Sequence, residues 1–450
     1  MLDTNKTNIE YVLDQTKKHD VKFIRLWFSD ILGNLKGFAI NSEELPSALT
    51  RGMNFDGSTI QGFTRNNETD MYAIPDPSTF AILPWRPKTN AVARMFCNIV
   101  TPDGNSFEGD PRNILIRNIK KASELGYTYY VAPELEYFYF YNSLEAQPLD
   151  QGTYFDQVSN DITTNLRRET VLTLEEMGIP VEASHHEVAP GQHEINLRHT
   201  DALTMADNIL TCKAAIKEIA SMNGYYATFM PKPIKGLNGS GMHIHQSLFQ
   251  NEKNAFFANN KEYLSKTARQ FMAGLLKYAP EITSITNQWI NSYKRLVPPI
   301  SNEPLGYEAP THVSWAKVNK SDLIRIPDYK KGRENSRRIE YRSPDPACNP
   351  YLTFSVLLAS GLSGITNKMK LPPPNNINPV EIYKDNQSKN LTPLPKSLSE
   401  AINLTKQSSL VKETLGNHAF SYFIQNKEFE YNEYRIQITD YEIKHYLPIL

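Results

Sequence analysis

The sequence predicts an α+β protein. Short runs rich in β-branched and aromatic residues alternate irregularly with stretches of helical period, unlike the regular succession of a doubly wound sheet. Most of the first hundred residues read as strands, and the last fifty read as helix. At 450 residues the chain exceeds one ordinary core, so two domains, one large, are expected.

Taken in order, residues 9–18 form a short amphipathic helix and 21–28 a strand of branched and aromatic residues. Asp30 to Asn34 turns the chain into a second strand, 35–40, and Ser42 with Glu43 and Glu44 opens a helix. Asn54-Phe55-Asp56-Gly57 is a turn signature. Strands follow at 71–74, 81–84 and 91–100, and polar residues 101–108 mark a boundary, giving units of 1–104 and 105–450. Asp110-Pro111 starts a helix that Gly126 ends, because proline at the first helical position forfeits no intrahelical bond. Residues 127–140 are a strand, 167–177 a helix stopped by Gly178 and Pro180, and Val181 begins another β stretch. Helices are expected at 202–222, 264–278, 349–367 (buried) and 397–445, with irregular chain at 298–310 and 371–388.

Hydrophobic residues make up 40% and charged residues 22%, a globular composition. A net charge of −1 without a long basic run argues against a nucleic-acid surface. Three scattered cysteines fit neither a disulfide framework nor a zinc spacing. No apolar run of about 18 residues and no signal-like start occur, so a cytoplasmic protein without membrane contact is expected.

Three clusters carry chemistry. In 230–248, Gly236, Gly239 and Gly241 let the backbone turn and approach a ligand, while the alternation from Met242 places His243, His245 and Ser247 on one strand face. Glu134 and Glu136 share a strand face, and Glu182, Glu187 and Glu194 are interleaved with His185, His186 and His193. Like charges gathered on a β surface repel unless something positive lies between them, and carboxylates with an occasional imidazole suit Mg²⁺ or Mn²⁺ better than zinc. Arg338, Glu340 and Arg342 alternate on a third strand, with Lys294-Arg295 as a second cationic element, and arginine forks clamp carboxylate or phosphate. Each cluster has a plainer reading: a buried histidine pair, solvated edge acids, or a cross-strand salt-bridge ladder. Together they form an inventory for phosphoryl transfer, where positioning and charge neutralisation dominate, although no Walker A loop or kinase glycine loop is present.

These blocks, with Phe55 to Ile60, Asn291 to Pro298 and Gly306 to Pro310, resemble the type I glutamine synthetase family of bacteria and archaea, in its shorter α-type form, across essentially the whole chain. The resemblance implies an N-terminal β-grasp domain, then a catalytic domain whose curved antiparallel sheet, flanked by helices, forms a funnel. It also implies a dodecamer of two stacked hexameric rings, with active sites completed by neighbouring subunits. By the resemblance, Glu136, Glu187 and Glu194 bind one metal, and Glu134, His243 and Glu340 bind another on the nucleotide phosphates. Arg295, Arg342, Asn238 and Gly239 hold glutamate; Glu182, His199, His245, Ser247, Lys320, Arg325 and Arg338 contact ATP. Asp56 of a neighbouring subunit binds ammonium, and Glu308 closes the flap. The implied reaction is ATP-dependent ligation of ammonium to L-glutamate through γ-glutamyl phosphate, with two or more Mg²⁺ or Mn²⁺ per subunit.

The chain departs from the family pattern in places. Residues 299–305 lengthen the segment before the flap, Lys320 stands for an arginine, His199 for an aromatic residue and Thr59 for a serine. The C-terminal region lacks the tyrosine-bearing segment of longer forms, and Arg65 stands where α-type enzymes sense glutamine, leaving regulatory proteins and effectors open. Two rival activities share the fold: a γ-glutamyl-amine ligase and a non-catalytic glutamine sensor.

Overall fold

The α+β architecture is seen in a computed structural model that describes residues 2–62, 69–157, 162–297, 309–375 and 391–450. Helix α1 (Leu2–Lys18) leads into β1 (Val21–Ser29), β2 (Leu35–Asn41), α2 (Leu45–Arg51), β3 (Met53–Asp56), β4 (Asp70–Pro75), β5 (Ala81–Ile82) and β6 (Ala91–Val100). These strands form a sheet in the order β2-β1-β6-β4-β3, with β5 also on β6. Among the described residues of this sheet only β1 and β6 pair in parallel; β3 is an edge strand and ends on Asp56.

The larger sheet follows: β7 (Thr128–Phe140), β8 (Val181–His186), β9 (Gln192–Leu197), β10 (Thr200–Asp201), β11 (Tyr226–Thr228), β12 (Met242–Gln250), β13 (Lys253–Asn254), β14 (Trp315–Ala316), β15 (Ile324–Arg325) and β16 (Ile339–Tyr341). Its order is β14-β15-β16-β12-β7-β9-β8, antiparallel except for the β14–β15 pair, so the sheet is mixed. Long β7 also carries β10 and β11. Around it lie α3 (Pro111–Glu124), α4 (Ile162–Glu176), α5 (Ala202–Met222), α6 (Lys266–Thr286), α7 (Ser292–Arg295) and α8 (Pro350–Thr366). The chain closes with α9 (Leu398–Gln407), α10 (Ser409–Leu415), α11 (Asn417–Arg435) and α12 (Asp440–Tyr446).

Helix starts follow their caps. Asp110 accepts from Arg112 N at 3.0 Å ahead of Pro111, and Asn349 accepts from Tyr351 N at 3.0 Å ahead of Pro350. Asn349 also joins the two sheets' territories, its Nδ2 donating to the carbonyls of Asp30 and Ile31 at 3.2 and 3.1 Å. Arg112 does the same from α3, lying 2.8 Å from Asp76 and 2.9 Å from Asp207. Trp27, Ile31 and Phe96 share one core with α3, α5 and α8. α6 and α8 approach closely because Gly274 and Gly364 face backbone: a Cβ on Gly274 would lie 2.1 Å from Ser360 O.

Three expectations are corrected. The opening helix near Ser42 begins at Leu45, with no side-chain cap. The helix expected to stop at Tyr278 runs through Pro280 to Thr286, where buried Ala279, Ile282 and Ile285 outweigh the hydrogen bond that proline forfeits. The C-terminal region is broken rather than continuous: Ser408 caps a new helix through Val411 N at 3.2 Å, Gly416 adopts φ +82°, and Thr439 with Glu442 forms a capping box.

Candidate active site

β12 lies between β7 and β16, and register alone brings the candidate residues together. Glu134 stands opposite His243, His245 opposite Glu340, and Glu136 opposite Glu194 on β9. Directly opposed side chains on an antiparallel pair share a face about 5 Å apart. His243 Nδ1 lies 2.9 Å from Glu134 and 3.9 Å from Glu340, and His245 Nε2 lies 2.7 Å from Glu134. Arg338 Nε donates to His245 Nδ1 at 3.2 Å, so the other ring nitrogen carries the proton toward Glu134. On the far side His185 Nε2 sits 3.0 Å from Glu187 and 3.9 Å from Glu194. Two sets of metal-type ligands thus stand side by side: Glu134, His243 and Glu340, and His185, Glu187 and Glu194.

The electrostatics are those of crowded acids. Burial, and then the neighbouring Glu134, Glu136 and Glu187, push the Glu194 carboxyl well above the usual range. Burial also opposes ionisation of Glu134, but His245 and His243 outweigh it and hold that carboxyl well below the usual range. Fully buried Glu340 is likewise lowered, against burial, by Arg342 and His245. Arg342 and Arg325 both form ion pairs with Glu340. Buried carboxylates this close, with imidazole donors among them, fit divalent cations that take oxygen ligands.

Two clefts open from these acids. One is lined by Glu136, Glu187, Gln192, Asn238, Gly239, His243 and Arg295. Gly241 N donates to Glu136 at 2.9 Å, and a Cβ there would lie 2.5 Å from Arg295 Nη2 and push the guanidinium aside. Arg295 Nη1 donates to Ser343 O at 2.7 Å, which fixes its fork beside the loop of Asn238. The other cleft, of about 500 Å³, gathers Glu134, Glu182, His199, His245, Ser247 and Arg338 with Tyr130 and Arg333. A further cleft of about 480 Å³, walled by Lys213, Phe229 and Trp289, takes in Lys294 but none of the candidate acids or histidines.

Other candidates lie apart. Lys320 Nζ stands 5.5 Å over the Tyr154 ring, whose edge meets His185, so it borders the acidic end rather than the larger cleft. Asp56 accepts from Ser58 N and Thr69 N at 3.0 Å each on the edge of the N-terminal sheet, and it lines neither cleft. Glu308, Arg65 and residues 299–305 lie outside the described residues.

Two functional-looking residues escaped the sequence reading. Buried Gln192 donates to Glu136 at 3.0 Å and to Gly239 O at 3.1 Å, while its Oε1 accepts from Ala189 N at 3.2 Å. Asp150 gathers His186 and His193 behind the acidic hairpin. Only the strand alternation of His186 and His193, opposite to that of His185 and Glu194, hints at a second face.

The family model of the glutamine synthetase β-grasp domain matches residues 20–102, and that of the glutamine synthetase catalytic domain matches residues 108–446. The chain belongs to the glutamine synthetase family. Glutamine synthetase of Methanosarcina mazei is 48% identical over 99% of this chain and 98% of its own, and that of Thermotoga maritima 45% identical over 98% and 99%. A solved structure described as a GmaS/ADP complex superposes with a TM-score of 0.88 at 27% identity, covering 97% of this chain and 99% of its own. The smaller sheet is therefore the glutamine synthetase β-grasp domain, and the larger curled sheet with its helices is the catalytic domain.

Proposed function

We propose that this chain ligates ammonia to L-glutamate at the expense of ATP, through γ-glutamyl phosphate. What supports the reading most is one cluster of buried and half-buried acids, Glu134, Glu136, Glu187 and Glu194, placed where an amide-and-arginine cleft meets a larger basic one. Glu136, Glu187 and Glu194 would hold one Mg²⁺ or Mn²⁺, and Glu134, His243 and Glu340 a second. Bound there, the cations neutralise charge on the phosphoryl oxygens.

The residues then divide the work. Asn238, Gly239, Arg295 and Arg342 orient glutamate so that its γ-carboxylate oxygen attacks the terminal phosphorus of ATP and ADP leaves. Glu182, His199, His245, Ser247 and Arg338 seat the nucleotide, with Arg338 spreading positive charge over the transferring group; Lys320 and Arg325 contribute at its edge. Ammonium docks on Asp56 of a neighbouring subunit, gives up a proton there, and its nitrogen attacks the γ-carbonyl carbon, releasing phosphate. Glu308 covers the site, because water would otherwise hydrolyse the acyl phosphate. Purified enzyme given ATP, glutamate and Mg²⁺ is expected to release one phosphate per glutamine with ammonium and far less with methylamine or polyamines. Equal rates with an amine move the reading to a γ-glutamyl-amine ligase; no turnover with any of them leaves a glutamine sensor.

The assembly belongs to the same reading: a cytoplasmic dodecamer of two stacked hexameric rings. It is supported by the C-terminal end, where Leu447, Ile449 and Leu450 are 73%, 76% and 97% exposed on a single chain. Among the described residues no helix is long and apolar enough to cross a membrane. Deleting residues 446–450 is expected to reduce the assembly's mass by light scattering; an unchanged mass counts against docking of this tail on another subunit.

A further inference from the structure

The hairpin that carries Glu187 and Glu194 has two faces. Strand alternation sends His185 and Glu194 toward the clefts and sends His186 and His193 backward, onto Asp150. Asp150 Oδ1 accepts from Gly152 N at 3.0 Å, Gly191 N at 2.8 Å and His186 Nε2 at 2.8 Å, and its Oδ2 lies 3.2 Å from His193 Nε2. His186 Nδ1 in turn donates to the carbonyl of Glu187 at 2.7 Å. Arg167 Nη1 donates to His193 Nδ1 at 2.6 Å, which sets that ring's tautomer so that its Nε2 carries the proton toward Asp150. The histidines are 1% and 0% exposed, and a Cβ on Gly152 would lie 2.6 Å from His186 Nε2, so Gly152 packs directly on that ring.

His186, His193 and Asp150 would themselves suit a cation by residue type. The hydrogen bonds argue otherwise. Every nitrogen and oxygen of the trio already has a partner, and a guanidinium stands against His193. One carboxylate therefore grips both ends of the Glu187–Gly191 turn from behind: the first through His186, the last directly.

We propose that Asp150 and His186 are positioning residues that fix the Glu187 and Glu194 carboxylates for the cation on the amino-acid side. This rests on the reading that those carboxylates are metal ligands. Partners of that kind typically cost about 10- to 100-fold in metal affinity when lost. The test is Mn²⁺ binding to the full-length enzyme, followed by electron paramagnetic resonance, in Asp150→Asn, His186→Gln and Glu187→Gln. Asparagine keeps the shape of Asp150 but cannot accept on both sides. One Mn²⁺ per subunit is expected to weaken by about 10- to 100-fold in both clamp variants. The second Mn²⁺ and the KM for ATP stay unchanged, and kcat recovers at saturating Mn²⁺. Unchanged affinity in the clamp variants, with weakened binding in Glu187→Gln, overturns the clamp alone. Unchanged affinity in Glu187→Gln overturns the reading beneath it. Equal weakening of both Mn²⁺ ions with a lowered melting temperature shows general structural damage and also overturns the clamp; if Asp150→Asn does not fold, His186→Gln decides.

Discussion

Replacing Asp56 with alanine is expected to leave ATP and glutamate binding intact while slowing glutamine formation by about 10²- to 10⁴-fold, the usual worth of a positioned proton acceptor. The residue ends an edge strand and lines neither cleft of its own chain, so its proposed role requires a neighbouring subunit. It also has a structural task, since one oxygen accepts from the amides of Ser58 and Thr69. Alanine removes both functions, whereas asparagine keeps an acceptor for those amides and loses only the charge. Asp56→Asn should therefore match wild type in melting temperature yet share the alanine variant's catalytic defect. ADP formation without ammonium should persist in both. A variant that turns over normally with ammonium ends the assignment, and an asparagine variant with full activity reduces Asp56 to a turn residue.

The contrast between β12 and its surroundings shows what a linear reading captures. His243, His245 and Ser247 were legible because a strand's period of two assigns faces without tertiary knowledge, and the same rule paired Glu134 with Glu136. Gln192 offered no such signal. Its value lies in one amide reaching Glu136, Gly239 and Ala189 at once, and 56 residues separate it from the first of these. Asp150 was hidden for the same reason, being one acid in a polar stretch 36 residues from His186. Lys320 was assigned to the nucleotide by motif position alone, and its ammonium stands over Tyr154. Helix ends were least legible where packing overrode local chemistry, as at Pro280, and best where a cap with a following proline settled the matter, as at Asn349.

Glu194→Gln should separate stability from function at the centre of the site. In chelator-treated enzyme its carboxyl is held above the unfolded value of about 4.3, first by burial and then by Glu134, Glu136 and Glu187. Between those two pKa values the folded chain binds more protons than the unfolded one. The stability this group contributes is therefore complete below the unfolded value and lost as pH rises through the folded one. Glutamine carries no proton to lose and removes one of four crowded charges. The metal-free variant should thus melt higher than wild type at neutral and alkaline pH, and its melting temperature should fall less steeply with rising pH. Saturating cation should reverse the ranking: a ligand present at 100 times its Kd adds about 2.7 kcal/mol to the wild type, and much less to a variant with a weakened site. Activity should move with the cation rather than with the melting temperature. Losing several kcal/mol of charge stabilisation corresponds to a fall of about 10³-fold in kcat/KM. Scanning calorimetry in EDTA and in Mg²⁺ across pH 5–8, beside steady-state kinetics, checks both halves. A metal-free variant less stable than wild type at pH 8 would show that the four carboxylates do not repel one another as their burial requires.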